Sequence, residues 1–243
     1  MLCYLLLCSV HDRNPNGGLR HAGDPELTRQ VTIEVGEGSV TGRWWVPEGS
    51  QRIAVLLAHG AGAGQDHPGI TTIAEELVSH GHPVLTFDYP YMEAGRRFPD
   101  RRETLLRCHR AAAAWLGERC DRFVMAGRSM GGRMASYLAV EGQPCAGLVL
   151  YAYPLHPAGK PDRLRADHLP RVPVPMLFFT GCKDRLALPH LVEEHLMGLE
   201  RSVVEIIPDA DHSFRVPKRT GTTQREVLQA MAERTARWIE GLA

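Results

Sequence analysis

The stretch "VMAGRSMGGRMAS", from Val124 to Ser136, joins an apolar run to a helical pattern through a glycine-rich turn. Within it, the residues from Gly127 to Gly131 match G-x-S-x-G, the motif of a nucleophile elbow between a strand and a helix. The neighbours two positions either side of the serine must be small there, because larger side chains collide with the strand and the helix. A plain helix cap explains Ser129 but not the two flanking glycines. We therefore predict that Ser129 is a nucleophile at a helix N-terminus.

Outward from this motif, apolar runs alternate with amphipathic helical patterns. Such runs are typical of strands that are buried on both faces, and the alternation predicts a mostly parallel sheet with helices on both sides. A hairpin precedes them, formed by "VTIEV" and "SVTGRWWVP". Capping-box spacing at Thr72 and Glu75, and again at Thr223 and Glu226, predicts two helix starts. The apolar runs are "IAVLLAH", "PVLTFDYP", "RFVMAG", "AGLVLYAYP", "PMLFFTG" and "VVEII".

The length, the composition and the net charge of the chain limit its domain organisation and the kinds of partner it can bind. The chain has 243 residues, 44% of them hydrophobic, and a formal net charge of +0. These values predict a globular protein. Because the regular pattern begins only at Val31, we expect an irregular N-terminal extension over residues 1–28 and one α/β domain over residues 29–243. Because no global field favours nucleic acid or an acidic membrane, we expect neither as a partner. We expect a monomer or a small homo-oligomer.

The N-terminus and the cysteines indicate in which compartment of the cell the protein is located. The apolar run from Leu2 to Val10 is too short to cross a bilayer, and no basic residue precedes it as in a secretory signal. The cysteines are scattered without a C-x-x-C pair, which argues against a disulfide framework and a zinc site. We therefore expect a cytoplasmic protein without a metal. The six cysteines are Cys3, Cys8, Cys108, Cys120, Cys145 and Cys182.

A serine nucleophile needs a base and an acid, which in a parallel sheet lie past the carboxyl ends of strands. His212 follows "VVEII" by five residues and is the favoured base, with His59 at the end of "IAVLLAH" as its rival. Asp184 follows "PMLFFTG" and is the favoured acid, which gives the chain order Ser129, Asp184, His212. The alternative acids are Asp88, Asp209 and Asp211.

An acyl-transfer site also needs backbone N–H donors for the oxyanion. Met130, directly after the serine, is one candidate. The loop "HGAGAG" supplies the second, with Ala61 preferred and Gly62 as the alternative. This loop lacks the offsets of a nucleotide-binding glycine motif, and no G-K-[ST] follows it. We therefore expect no organic cofactor.

With these residues the sequence resembles the α/β-hydrolase superfamily over about residues 31–242. The segments "AHGAGAG", "FDYPYMEAGRR", "GRSMGGRMAS", "YAYPLHPAGKPDRLR" and "DADHSF" are similar to its small dienelactone-hydrolase-like group. The resemblance implies an α/β-hydrolase fold with about seven or eight strands and no large lid. It also implies Ser129, Asp184 and His212 as the triad, with Met130 and Ala61 as oxyanion donors.

The resemblance implies a serine hydrolase that cleaves an ester or a related acyl bond of a small-molecule substrate. Dienelactone hydrolases proper use a cysteine where this chain has Ser129, so their substrate is not implied. The rival function is a non-catalytic scaffold that binds a protein partner, because some members of the group are subunits of chromatin complexes. An acidic acyl group is favoured if arginines near the motifs face the site, namely Arg128, Arg133, Arg163 and Arg165.

Overall fold

A computed structural model describes residues 26–49 and 53–242 of the chain. Most of the predicted extension, residues 1–25, lies outside these described residues, as do Cys3 and Cys8. The first strand begins at Glu26, so residues 26–28 belong to a strand and not to the extension. Their pairing with the far end of the next strand, where Glu26 faces Pro47, explains the longer strand.

Eight strands form one sheet in the order β1-β2-β4-β3-β5-β6-β7-β8. The first two pair antiparallel as the predicted hairpin, and β2 is antiparallel to β4, while the other neighbours are parallel. The strands are β1 Glu26–Val35, β2 Gly38–Pro47, β3 Ala54–Ala58, β4 Val84–Phe87, β5 Phe123–Arg128, β6 Leu148–Tyr151, β7 Met176–Gly181 and β8 Ser202–Ile207. The expected mostly parallel sheet and its strand number are confirmed.

Helices cover both faces of the sheet, as expected from strands that are apolar throughout. Side chains of α1 and α6 pack with one face of the sheet, and those of α3, α4 and α5 pack with the other. The helices are α1 Pro68–Ser79, α2 Pro90–Glu93, α3 Arg102–Gly117, α4 Met130–Val140, α5 Pro189–His195 and α6 Gln224–Glu240.

The predicted start of α1 at Thr72 is wrong, because the helix begins at Pro68. Proline suits the first helical turn, where its missing N–H costs nothing. The imidazole of His67 accepts a hydrogen bond from the Gly69 N–H at 2.9 Å, which is the role of an N-cap side chain. The predicted capping box of α6 is confirmed, with Thr223 and Glu226 bonding each other's backbone N–H.

The segments that follow the parallel strands meet at one edge of the sheet, as the topology requires. Between β6 and β7 the chain forms an irregular segment with a single 3-10 turn at Leu169–Arg171, so no large lid is present there. No helix among the described residues is long and apolar enough to cross a membrane.

Candidate active site

Ser129 lies in the sharp turn between β5 and α4. Its backbone has φ 50 and ψ −109, a conformation that residues with side chains rarely adopt. The turn is held by the Ser129 N–H, which donates to the Tyr151 carbonyl at 2.8 Å. Although Ser129 occupies the N-cap position of α4, its side chain makes no capping hydrogen bond. The hydroxyl is therefore directed elsewhere, which argues against the plain-cap interpretation.

Two glycines of the motif are needed for close backbone packing around this turn. A Cβ on Gly127 would lie 2.4 Å from the carbonyl carbon of Gly131, and a Cβ on Gly131 would lie 2.5 Å from the Ala58 carbonyl oxygen. Neither approach is possible without moving backbone atoms. The steric prediction from the sequence is therefore confirmed at both positions.

The hydroxyl of Ser129 meets the imidazole of His212, which lies in the loop after β8. The Ser129 Oγ–His212 Nε2 distance is 3.0 Å, and His212 Nδ1 lies 2.7 Å from Asp184 Oδ2. Because a carboxylate only accepts, Nδ1 carries the ring proton, and Nε2 accepts the hydrogen bond of the Ser129 hydroxyl. The structure thus brings together the three side chains that the sequence singled out, from three different loops.

Asp184 is held by its own turn after β7. Its carboxylate is fully buried, and Oδ1 accepts a hydrogen bond from the Leu186 N–H at 2.7 Å. A Cβ on Gly181 would lie 2.3 Å from the Ala210 carbonyl oxygen, so this glycine allows the His212 loop to lie against the end of β7. The sequence analysis missed Gly181, because the signal is a contact between segments that are distant in sequence.

The alternative acids have other partners. Asp88 accepts hydrogen bonds from the backbone and side chain of Gln65, and Asp209 pairs with Lys183 and with Arg219. Asp211 accepts from the Ser213 and Arg215 backbone N–H groups and so closes the turn that carries His212. None of the three carboxylates is hydrogen-bonded to His212, whose Nδ1 is bonded to Asp184.

The rival base, His59, has a structural environment. Its Nε2 accepts from the Tyr89 N–H at 3.2 Å, and its Nδ1 donates to the Gly60 carbonyl at 2.8 Å. Burial lowers the pKa of His59, which keeps the ring neutral. With both nitrogens bonded to backbone, the side chain fixes the loop after β3 and has no free atom for the serine proton.

The predicted oxyanion donors differ in how their N–H groups are used. In the described part of the chain, the N–H groups of Met130 and Ala61 donate no hydrogen bond, whereas the Gly62 N–H donates to the Tyr91 hydroxyl at 3.3 Å. The loop also lies against the nucleophile, since a Cβ on Gly60 would be 3.6 Å from the Ser129 Cβ. Of the two loop candidates, Ala61 is therefore the one with an available donor.

Buried side chains outside the predicted set hold this loop. Gln65, which is 3% exposed, donates through Nε2 to the Thr41 carbonyl at 3.0 Å and to Asp88 Oδ2 at 3.1 Å. The Tyr91 hydroxyl, which accepts from the Gly62 N–H, also donates to the Gly60 carbonyl at 3.5 Å. Neither residue carries a local sequence signal, because both act through contacts with distant strands or loops.

No group of three or more histidine, cysteine or carboxylate side chains suited to a metal ion occurs within residues 26–49 and 53–242. The four cysteines in these ranges are unpaired thiols. The polar groups near Ser129 are the imidazole of His212, which is hydrogen-bonded in turn to Asp184, and the backbone of the loop after β3.

The chain is similar in sequence to a known family of domains and in fold to several solved structures. A family model described as an alpha/beta hydrolase domain matches residues 51–240, which is most of the chain. A dienelactone hydrolase from Anabaena variabilis ATCC 29413 superposes with a TM-score of 0.70 at 26% identity. The match covers 90% of this chain and 99% of that chain.

Two further solved structures share the fold at lower identity. XC6422 from Xanthomonas campestris, described as an α/β serine hydrolase without lid, has a TM-score of 0.67 at 21% identity and covers 87% of this chain and 94% of its own. The esterase domain of a Rhodothermus marinus protein has a TM-score of 0.66 at 18% identity, with coverages of 87% and 98%. Their likeness to this chain is one of architecture.

Proposed function

Because the chain belongs to the alpha/beta hydrolase domain family, we propose that it is a serine hydrolase that cleaves a carboxylic ester or a related acyl bond of a small substrate. The observation that carries the proposal is the hydrogen-bonded chain from Ser129 Oγ through His212 to Asp184, with distances of 3.0 Å and 2.7 Å. Distances of this length allow direct proton transfer between serine and imidazole. The esterase and dienelactone hydrolase neighbours support the same reaction class.

The reaction follows from the positions of these groups. His212 Nε2 accepts the Ser129 proton as Oγ attacks the substrate carbonyl, and Asp184 stabilises the imidazolium that forms. The Met130 and Ala61 N–H groups receive the oxyanion of the tetrahedral intermediate. His212 then protonates the leaving group, and a water molecule that His212 deprotonates releases the acid from Ser129. The chemistry needs no cofactor.

The segment between β6 and β7 bears on substrate size. It is irregular and includes only a short 3-10 turn, so it does not form a helical cover over the site. An uncovered site fits small or exposed acyl groups, and XC6422 is described as lacking a lid. We infer that substrates approach from solvent without a large opening movement.

The test is hydrolysis of a series of p-nitrophenyl esters of increasing acyl length by the wild type and by Ser129→Ala. We expect turnover by the wild type and a loss of kcat of about 10⁶-fold in the variant, because the nucleophile is gone. Folded wild type without turnover on any ester, and without reaction with a serine-directed phosphonate, would favour the non-catalytic scaffold.

The acid is tested separately with Asp184→Asn. We expect this variant to fold and to lose about 10⁴-fold in kcat, because an amide no longer stabilises the imidazolium or its tautomer. Asp209→Asn is the matched control, since its carboxylate pairs with Lys183 and Arg219 at the surface. Near wild-type activity of Asp184→Asn together with a large loss in the control would move the acid to Asp209.

A further inference from the structure

Arg128, the residue before the nucleophile, carries a buried charge with little compensation. The residue is 8% exposed, and its Nη2 donates to the Ser213 Oγ at 3.1 Å. Across the described ranges, this is the only hydrogen bond of the guanidinium, and no carboxylate forms an ion pair with it. The other guanidinium nitrogens form no hydrogen bond with described residues and are not closed off from solvent, so they are available to an anionic ligand.

The nearest carboxylates are engaged elsewhere. Asp211 Oδ1 accepts from two backbone N–H groups of its own turn, and Asp184 accepts from His212 and from the Leu186 N–H. Burial lowers the pKa of Arg128, and Asp211 and Asp184 oppose this effect only in part. The guanidinium nevertheless stays protonated at neutral pH, because its ordinary pKa is far higher.

The guanidinium also lies beside the nucleophile. Its Nη1 is 4.0 Å from the point that a Cβ on Gly60 would occupy, and the Ser129 Cβ is 3.6 Å from that same point. Ser213, its hydrogen-bond partner, directly follows His212 in the chain. Arg128 therefore lies between the predicted oxyanion loop and the loop of the base.

Arg128 and Arg215 place two positive charges near His67. Burial lowers the pKa of His67, and the charges of Arg128 and Arg215 lower it further. Arg215 is exposed, and its side chain has no ion pair within the described residues. Two arginines without carboxylate partners near one histidine attract anions to this part of the cleft.

We propose that Arg128 is a specificity residue that binds a carboxylate on the substrate, next to the acyl bond that Ser129 attacks. The proposal rests on the proposed serine hydrolase function and names its substrate class as esters with an anionic acyl or leaving group. A carboxylate satisfies the free N–H donors of a guanidinium with two parallel hydrogen bonds. The binding energy of that pair then orients the ester carbonyl towards Ser129.

The experiment compares matched anionic and neutral esters in two arms. The acyl arm uses mono-4-nitrophenyl adipate against its methyl ester, and the leaving-group arm uses 4-acetoxybenzoate against its methyl ester. In at least one arm, we expect Arg128→Met to lower the anionic-to-neutral ratio of kcat/KM by about 10-fold to 100-fold. Arg128→Lys, which keeps a positive charge, should retain part of the preference. An unchanged ratio in both arms overturns the proposal.

Ser213→Ala separates anion binding from a tethering role of Arg128. It removes the hydrogen bond that joins Arg128, at the end of β5, to the loop of His212 and leaves the charge in place. We expect Ser213→Ala to keep the wild-type ratio of anionic to neutral rates. If Ser213→Ala reproduces the loss of preference seen in Arg128→Met, Arg128 acts by holding the loop, and the proposal is wrong.

A binding measurement separates this proposal from the proposed function. Calorimetry with adipate and with 4-hydroxybenzoate requires no turnover, and we expect Arg128→Met to weaken the binding of at least one of them about 10-fold. A wild type that binds these anions through Arg128 but hydrolyses no ester would overturn the serine hydrolase function alone. Turnover of neutral esters without any effect of Arg128→Met on binding or on the rate ratio would overturn the anion site alone.

Discussion

Ser129 takes a backbone conformation that costs about 1–3 kcal/mol, and the surrounding turn supplies the contacts that hold it there. In the proposed function this strained conformation is useful, because the turn directs Oγ towards His212 and leaves the Met130 N–H without a hydrogen-bond partner among the residues that the structure describes. Local steric rules made Gly127 and Gly131 predictable. The positions of Gln65 and Tyr91 were not predictable, since each acts on a loop that is distant in sequence.

Tyr91 acts on the peptide unit that joins Gly60 to Ala61. The Gly60 carbonyl accepts hydrogen bonds from His59 Nδ1 at 2.8 Å and from the Tyr91 hydroxyl at 3.5 Å. Both bonds orient and polarise the Ala61 N–H on the other side of the same peptide. We predict that Tyr91→Phe lowers kcat about 10-fold with little change in KM, because the loss falls on the oxyanion.

Tyr89→Phe is the control for this prediction. Tyr89 is also fully buried and its ring packs against His59, but its hydroxyl bonds His109 at 2.9 Å and makes no hydrogen bond to the described residues of the loop after β3. Steady-state kinetics of the two variants, with a boronate transition-state analogue as a second readout, compares the roles. Equal effects of the two substitutions on kcat and on boronate affinity would mean that the Tyr91 hydroxyl serves stability alone.

For the helices, the first residue was predictable where two nearby residues form a capping box. It was not predictable where an unusual residue occupies the N-cap position. The Thr223–Glu226 capping box fixes the start of α6 as expected. The start of α1 was misplaced because the cap is His67, whose imidazole acts where serine, threonine, aspartate or asparagine is usual. The four-residue helix α2 was not predictable, since so short an element carries no periodicity.

The capping box gives a prediction for stability. Thr223→Ala removes the hydroxyl that accepts from the Glu226 N–H, and we expect the free energy of unfolding to fall by about 1 kcal/mol. Urea unfolding followed by circular dichroism measures the change. Thr222→Ala is the matched control just before the cap, and a loss as large as that of Thr223→Ala would argue against a specific capping effect.

At the scale of the whole molecule, the apolar strands made the parallel sheet and the two-sided helix packing predictable. The order in which the strands pair was not available from periodicity, because a buried strand looks the same at every position of the sheet. The long pairing of β1 with β2 likewise depends on a partner strand, which is why the boundary at residue 29 fell inside β1.

Buried histidines predict how stability depends on pH. Burial lowers the pKa of His109 to about 3 and that of His168 to about 4, from an ordinary value of 6.5. At a pH between the ordinary pKa of 6.5 and these lowered values, the histidines are protonated in the unfolded chain but neutral in the folded chain. The free energy of unfolding therefore decreases as the pH falls below about 6.5. His59 and His67, whose pKa values are also lowered by burial, act in the same direction.

Urea unfolding between pH 7 and pH 5 tests this prediction, with midpoints that decrease steadily towards acid. Surface carboxylates such as Asp209 and Glu226, whose pKa values are lowered by hydrogen bonds, contribute only at more acidic pH. The double variant His109→Asn and His168→Gln should flatten the dependence. A midpoint that rises from pH 7 to pH 5 in the wild type would contradict the account.

Covalent labelling tests whether Ser129 is the nucleophile of a serine hydrolase, as we claim. The wild type is treated with a fluorophosphonate and the adduct is located by intact-protein and peptide mass spectrometry. We predict one adduct on Ser129, absent from Ser129→Ala and formed far more slowly in His212→Gln, which lacks the base. Folded wild type that stays unlabelled, or an adduct that persists in Ser129→Ala, would contradict the claim.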